Sequence, residues 1–342
     1  MENDEESYNF CKNLPKIELH AHLNGSLSAS ILQKLGCSSE DILGYQKLTQ
    51  QVFAQEKRLQ ECFSLFKIAH NSTNNRKAVY EATKYVVEEF RADNVIYLEL
   101  RTTPRREENM TKIDYIEAVV KGIQDAQEGI ITKLLLSIDR GHDLKTSEES
   151  MDAIIKMKKK YPSIIKGVDF CGNPNVGSFN CSLFKQARDN GLFVTLHCAE
   201  VKNNSEVDQI LRFEPDRIGH GTFIHPKYGG FQEGWTLYKQ KIIPLECCLT
   251  SNVLCGTVQC YKEHHLQEWI KNSLPFSLCT DDKGVFGISL SKELALAKKY
   301  FELSREHLWK ITYDTVDYSF ASNEEKKTLK EILEKWKLKN LF

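Results

Sequence analysis

No Cys-x-x-Cys pair occurs among the 11 cysteines of this 342-residue chain. That excludes a zinc ribbon, and it excludes zinc sites built on a Pro-Cys-x-x-Cys pair. Cys171, Cys198, Cys247, Cys248 and Cys279 fall inside strand-like apolar runs, where reduced thiols behave as small hydrophobes. A dominant charge is lacking too: 46 basic side chains against 47 acidic ones leave a net charge of −1, with the signs interspersed. Nothing here predicts a nucleic-acid or membrane partner. No apolar run approaches transmembrane length. The opening Met1-Glu2-Asn3-Asp4-Glu5-Glu6 is acidic and has no apolar signal-peptide core. The expectation is a cytosolic, monomeric protein with a flexible acidic segment over residues 1–12 and a single domain over 13–342. No linker, repeat or low-complexity tract interrupts it.

What is present is ordinary for a globular enzyme, with 41% apolar and 27% charged residues. One stretch stands apart: Lys16-Ile17-Glu18-Leu19-His20-Ala21-His22-Leu23-Asn24-Gly25-Ser26. It reads as a short strand running into a turn. Side chains at i and i+2 of a strand share a face, so His20 and His22 aim at one spot. That is half of a zinc site. An isolated His-x-His suits two solvated histidines equally well, so the rest of the chain must decide.

Leu59, Cys62, Phe63 and Phe66 make one helical stripe, and Val79, Ala82, Val86 and Phe90 make the next. Strand-like runs then alternate with helical ones, at residues 95–100, 133–139, 165–170, 192–197, 217–222, 242–249 and 276–280. Lys158-Lys159-Lys160 closes one helix, where a cationic end is favourable, so it reads as a solvated terminus. Eight strands separated by helices predict an α/β fold, a (β/α)8 TIM barrel with additional helices between strands 1 and 2 and at the C-terminus.

In such barrels the chemistry sits at the C-terminal ends of the strands. Here those ends hold His20 and His22, His197, His220, Asp281 and Asp282. Three histidines and an aspartate suit one Zn2+ ion with a position kept for water. A second metal would want a further ligand, such as a lysine, after strand 4, and that place is held by Phe170-Cys171-Gly172. Zinc lowers the pKa of a bound water from ~15.7 to about 7. Glu200, three residues beyond His197, is placed for general acid/base work, or is an exposed loop carboxylate.

Four motifs together carry a resemblance: residues 15–26 as quoted with Pro15, His197-Cys198-Ala199-Glu200, Arg217-Ile218-Gly219-His220-Gly221-Thr222 and Cys279-Thr280-Asp281-Asp282. In order, and over nearly the whole chain, they resemble the adenosine deaminase family of metal-dependent hydrolases. The resemblance implies that His20, His22, His197 and Asp281 bind zinc. It implies that Glu200 protonates the purine at N1 while hydroxide attacks C6, that His220 and Asp282 orient that hydroxide, and that the Gly172 N–H holds the N3 edge.

The adenosine enzymes have an aspartate where this chain has Asn24. A carboxylate about 5 Å from a 5′-phosphate would cost ~3 kcal/mol at an effective dielectric near 20, and a neutral Asn24 removes that repulsion. Thr102-Thr103-Pro104-Arg105-Arg106 follows strand 2, putting guanidinium groups, suited to phosphate, beside the pocket mouth. Ordinary solvated loop charges are the other reading. The marks Glu99-Leu100-Arg101 with that loop, Leu249-Thr250-Ser251-Asn252 and Thr280 to Phe286 resemble the adenosine deaminase-like branch, the N6-methyl-AMP deaminases. By that resemblance His70, Asp139 and Gly172 contact the nucleotide, and the reaction is N6-methyl-AMP plus water giving IMP and methylamine. Deamination of adenosine or AMP is the alternative, and a non-catalytic nucleotide-binding barrel a more distant one. His142, His225, His264, His265 and His307 are read as ordinary helix and loop residues.

Overall fold

The computed structural model describes residues 4–52 and 66–340. Eight parallel strands form one sheet in chain order: β1 (Lys16–His22), β2 (Val95–Thr102), β3 (Ile131–Asp139), β4 (Ile165–Cys171), β5 (Phe193–Cys198), β6 (Arg217–His220), β7 (Leu245–Cys247) and β8 (Phe276–Leu278). Beyond β8, Asp281 N donates to His20 O at 2.8 Å and His22 N donates to Asp281 O at 3.0 Å. This bridge carries the sheet round to its first strand, giving a (β/α)8 barrel. It also joins the two strand exits that the sequence marks most strongly.

Helices cover the outside. Those at Arg76–Ala92 and Lys112–Ala126 start at caps that the sequence supplies, Asn75 and the Thr111/Asp114 capping box. Between β1 and β2 lie Ala29–Lys34, Ser39–Val52, the helical residues 66–72 and Arg76–Ala92. After β8 come Leu290–Tyr300, Arg305–Tyr318 and Asn323–Asn340. Of the first expected stripe, Leu59, Cys62 and Phe63 lie outside the described residues, and Phe66 reaches the cavity described below.

Two expectations are corrected. The acidic segment at residues 1–12 forms a helix, Asp4–Asn13, over its described part. Its Asp4, Glu5 and Glu6 lie in the first turn, where the helix dipole favours anions. Phe10 and Cys11 are buried and supply the packing that holds it. Lys16 Nζ, inside β1, donates to Cys11 O and Leu14 O at 2.9 and 2.8 Å. The run at 242–249 yields only Leu245–Cys247 as strand. Pro244, which has no N–H for a ladder, precedes it, and Leu249–Leu254 turns into a short helix.

The barrel interior beneath the strand exits is charged rather than aliphatic. Glu18, Glu99, Arg101, Asp169, Arg217 and Glu246 all show no exposure. Arg101 binds Asp169 at 3.0 Å and Glu246 at 2.8 Å, while Arg217 binds Glu246 at 2.7 Å and also pairs with Glu99. Buried charges are tolerated only when paired and hydrogen-bonded, as these five are; Glu18 instead accepts from His20 N and from Thr280 N and Oγ1, and burial pushes its carboxyl up to about 7.

Candidate active site

A cavity of about 430 Å3 opens at the C-terminal ends of the strands. Its wall includes His22, His197, His220, Glu200, Asp281 and Asp282. One donor atom from each of His20, His22, His197 and Asp281 lies within 4.8 Å of the other three. His20 Nε2 is 3.1 Å, and His22 Nε2 3.3 Å, from Asp281 Oδ1. His22 Nε2 and His197 Nε2 approach to 3.2 Å.

The rings are aimed from behind. His20 Nδ1 is 2.7 Å from Glu246 Oε2, and His197 Nδ1 is 3.0 Å from Asp169 Oδ1. A carboxylate can only accept, so each Nδ1 carries the proton and each Nε2 presents a lone pair to the cluster. His20 Nε2 is buried and has no hydrogen-bond partner among the described residues. Three imidazoles, two of them held by a second hydrogen bond, and one carboxylate, with a buried nitrogen left unsatisfied, fit a zinc ion.

Backbone strain marks the same place. Ala199, His220 and Asp281 adopt left-handed φ of 59°, 64° and 59°. For residues with a Cβ this costs about 1–2 kcal/mol each. The three lie at the exits of β5, β6 and β8, next to or within the groups expected to be ligands and acid/base. Glu200 Oε1 sits 3.7 Å from His220 Nε2, and Glu200 Oε2 is buried with no hydrogen-bond partner among the described residues. Burial pushes the Glu200 carboxyl above its ordinary range, with His197 opposing. A proton is therefore held more readily at the position where an acid would work.

The adenosine deaminase family model matches residues 15–336. The chain belongs to the adenosine deaminase family. It is 41% identical to the adenosine deaminase-like protein of Drosophila melanogaster over 326 residues, covering 92% of this chain and 94% of that one. It is 37% identical to the N6-methyl-AMP deaminase of Homo sapiens over 335 residues, covering 96% and 94%. Among solved structures it resembles an Arabidopsis ADAL complexed with IMP, with a TM-score of 0.85 and 35% identity, covering 97% of this chain and 99% of that one.

Within this family member, the residues expected around the rest of the nucleotide are placed unequally. Asn24, His70, Thr103, Arg105, Asp139 and Gly172 line the cavity. Gly172 has φ +107°, and a Cβ there would lie 2.5 Å from Asp139 Oδ1, so glycine is required for the β4 exit to approach Asp139. Pro104 is buried and forms no part of the wall. Arg106 also stays out of the wall: its side chain is 67% exposed and pairs with Glu149 at 3.2 Å. The two consecutive arginines point apart, which corrects the expectation that both face the pocket.

Arg105 is held on three sides. Its Nε donates to Glu107 at 2.9 Å, and its Nη2 donates to Thr73 O at 2.5 Å and Thr73 Oγ1 at 2.8 Å. Nη1 is buried without a partner among the described residues. Thr73 Oγ1 in turn lies 3.4 Å from Asn24 Oδ1. The residues that sequence reading missed are those working from beneath. Asp169 and Glu246 hold the Nδ1 atoms of His197 and His20, Ser251 donates to Asp281 Oδ2 at 2.7 Å, and the buried His264 and His265 lie behind His220. His142 also reaches the cavity wall. Only Ser251 left a signal, inside a stretch quoted for its resemblance alone.

Proposed function

We propose that this chain is a zinc-dependent hydrolytic deaminase of N6-substituted purine nucleoside 5′-monophosphates, converting N6-methyl-AMP and water to IMP and methylamine. The observation that carries the reading is the meeting of His20, His22, His197 and Asp281 beside Glu200, whose carboxyl is pushed upward by burial. Its substrate class is supported by the name of the human relative and by the IMP held by the Arabidopsis neighbour. It is also supported by Asn24, a neutral residue on the cavity wall, and by Arg105 Nη1, a buried donor with no partner among the described residues.

His20, His22, His197 and Asp281 would hold a single Zn2+, which when bound supplies water activation near neutral pH. Glu200 holds a proton at a carboxyl oxygen and delivers it to purine N1, which draws electrons from C6. His220 and Asp282 orient the water that adds at C6. One proton of the added water restores Glu200 and the other passes to N6. The C6–N6 bond then breaks, methylamine leaves, and IMP remains with its N1 protonated and its C6 oxygen taken from water. Asp139 and Gly172 hold the purine edge, His70 and Thr103 border the sugar side, and Asn24 and Arg105 receive the phosphate. Every one of these groups comes from one chain, so a monomer suffices. The free cysteines suit a reducing compartment such as the cytosol. Among the described residues no helix is long and apolar enough to cross a membrane.

The test is turnover of N6-methyl-AMP by zinc-loaded protein, with IMP and methylamine both measured, beside N6-methyladenosine, AMP and adenosine. Rapid release of methylamine from the monophosphate supports the reading. Turnover confined to adenosine or AMP would replace it with simple deamination, and no turnover with zinc retained would leave a binding barrel. Glu200→Gln should lose roughly 100- to 10,000-fold in kcat.

A further inference from the structure

His220 ends β6, and a second group of buried side chains stands behind it. His264 and His265 show no exposure, and Asn252 and His220 are 1% and 3% exposed. The backbone N–H of Leu266 donates to His264 Nδ1 at 3.1 Å. A backbone amide cannot reverse its role, so His264 Nδ1 is an acceptor and the ring proton of neutral His264 is on Nε2. That Nε2 is 3.2 Å from Asn252 Oδ1. The amide of Asn252 is thereby fixed with its oxygen toward His264, because the reversed orientation would set N–H against N–H. Asn252 Nδ2 faces the other way, 3.4 Å from His220 Nδ1, 3.3 Å from Thr257 Oγ1 and, at the longest reach, 3.5 Å from Thr222 Oγ1. Since Thr257 Oγ1 spends its own proton on Asn252 O at 3.1 Å, it accepts from Nδ2.

We infer that His264, acting through Asn252, fixes the ring proton of His220 on Nε2, so that His220 meets the reacting water as a hydrogen-bond donor and not as its base. The directions from His264 through Asn252 to His220 follow from one backbone N–H, that of Leu266. His220 Nδ1 is committed as an acceptor, which leaves Nε2–H pointing toward Glu200 Oε1 at 3.7 Å and Asp281 Oδ2 at 3.9 Å. His265 completes the mount. Its Nε2 donates to His220 O at 2.7 Å, bracing the residue whose φ is +64°. His264, His265 and Asn252 are positioning residues, and proton shuttling at N1 and N6 falls to Glu200 alone. This inference rests on the hydrolytic reading of the site, but its direct test does not require turnover.

The experiment is a long-range 1H–15N spectrum of zinc-loaded, full-length protein labelled at histidine nitrogens, with His220 assigned by its loss in His220→Asn. The expected pattern is a single Nε2–H tautomer for His220. An Nδ1–H tautomer in the wild type overturns the inference, whatever substrate the enzyme turns over. Asn252→Asp replaces the donor by an acceptor and should move the His220 proton to Nδ1. His264→Gln keeps an N–H for Asn252 Oδ1 and should retain both the tautomer and most of the activity. His264→Leu should lower kcat roughly 10- to 100-fold with KM nearly unchanged. Equal loss in the Gln and Leu variants, or wild-type kcat in the Leu variant, counts against it. If the Leu variant does not fold, the wild-type spectrum and the Gln variant still decide.

Discussion

Glu246 Oε2 lies 2.7 Å from His20 Nδ1, with both side chains fully buried. The strand carrying Glu246 is six places along the sheet from the strand carrying His20, and they meet because the barrel closes. Burial opposes a charged Glu246, but Arg101 and Arg217 outweigh it and hold the carboxyl well below its usual range. One carboxylate thus orients a proposed metal ligand and balances two buried guanidinium groups.

Glu246→Gln removes the charge while keeping the shape. Partners that orient ligand histidines typically change metal affinity 10- to 100-fold. Losing one partner of a buried ion pair costs about 3–5 kcal/mol. The variant should therefore give up zinc to a competing chelator about 10- to 100-fold more readily and melt at lower temperature. Unchanged zinc affinity would show that Arg101, Arg217 and His20 do not depend on this carboxylate.

The strand exits were legible because local spacing carries them. His20 and His22 share a face by alternation, and His197, His220 and Asp281 each stand at the end of a strand-like run. Glu246, Asp169 and Arg101 were not, because their partners are remote: Arg101 meets Glu246 145 positions away. A charged residue inside a strand has no local pattern that distinguishes an interior mount from an edge. His264 and His265 likewise sit outside any strand, and their meaning comes from packing behind β6. The N-terminal helix was hidden by its acidic first turn, which resembles a solvated tail until Phe10 and Cys11 are seen buried.

Arg105 and Arg106 separate by a change of substrate. Arg105→Ala should raise KM for the 5′-monophosphate by roughly 10- to 100-fold, the range of a lost hydrogen bond to a charged group. Arg105 also holds the carbonyl of Thr73, so some loss shared by the nucleoside is expected. The excess on the nucleotide measures the phosphate contact. Arg106→Ala should change neither KM, since exposed pairs contribute little. Steady-state kinetics on N6-methyl-AMP and N6-methyladenosine read both effects.

Glu293 gives the fold a pH dependence. It is buried, accepts from Thr250 N at 3.3 Å, and has its pKa pushed by burial from 4.5 to about 8. Between those values the folded chain binds more protons than the unfolded one, so stability falls as pH rises from about 4.5 to 8. The full effect is of the order of 5 kcal/mol for a shift of this size. Glu293→Gln, which stays neutral, should flatten this decline and melt higher than wild type at pH 8. Parallel melting curves for the two proteins from pH 5 to 8 would remove Glu293 as the source.

Gly25 lies in the turn after β1 for reasons of space rather than backbone freedom. A Cβ built there would stand 1.6 Å from Asp282 Oδ1, an overlap that neither group survives without moving. Gly25→Ala must therefore push the Asp282 carboxylate from its place at the cavity wall. Displacement of a positioning group by about 1 Å can cost on the order of 100-fold in rate, so kcat should fall by about that much with zinc content unchanged. Gly44, in the helix Ser39–Val52, has nothing within 4 Å of its Cβ position. Gly44→Ala should keep full activity and gain up to about 1 kcal/mol from the lower entropy of the unfolded chain. Equal kinetics for the two variants would mean that the position of Asp282 does not govern the reaction.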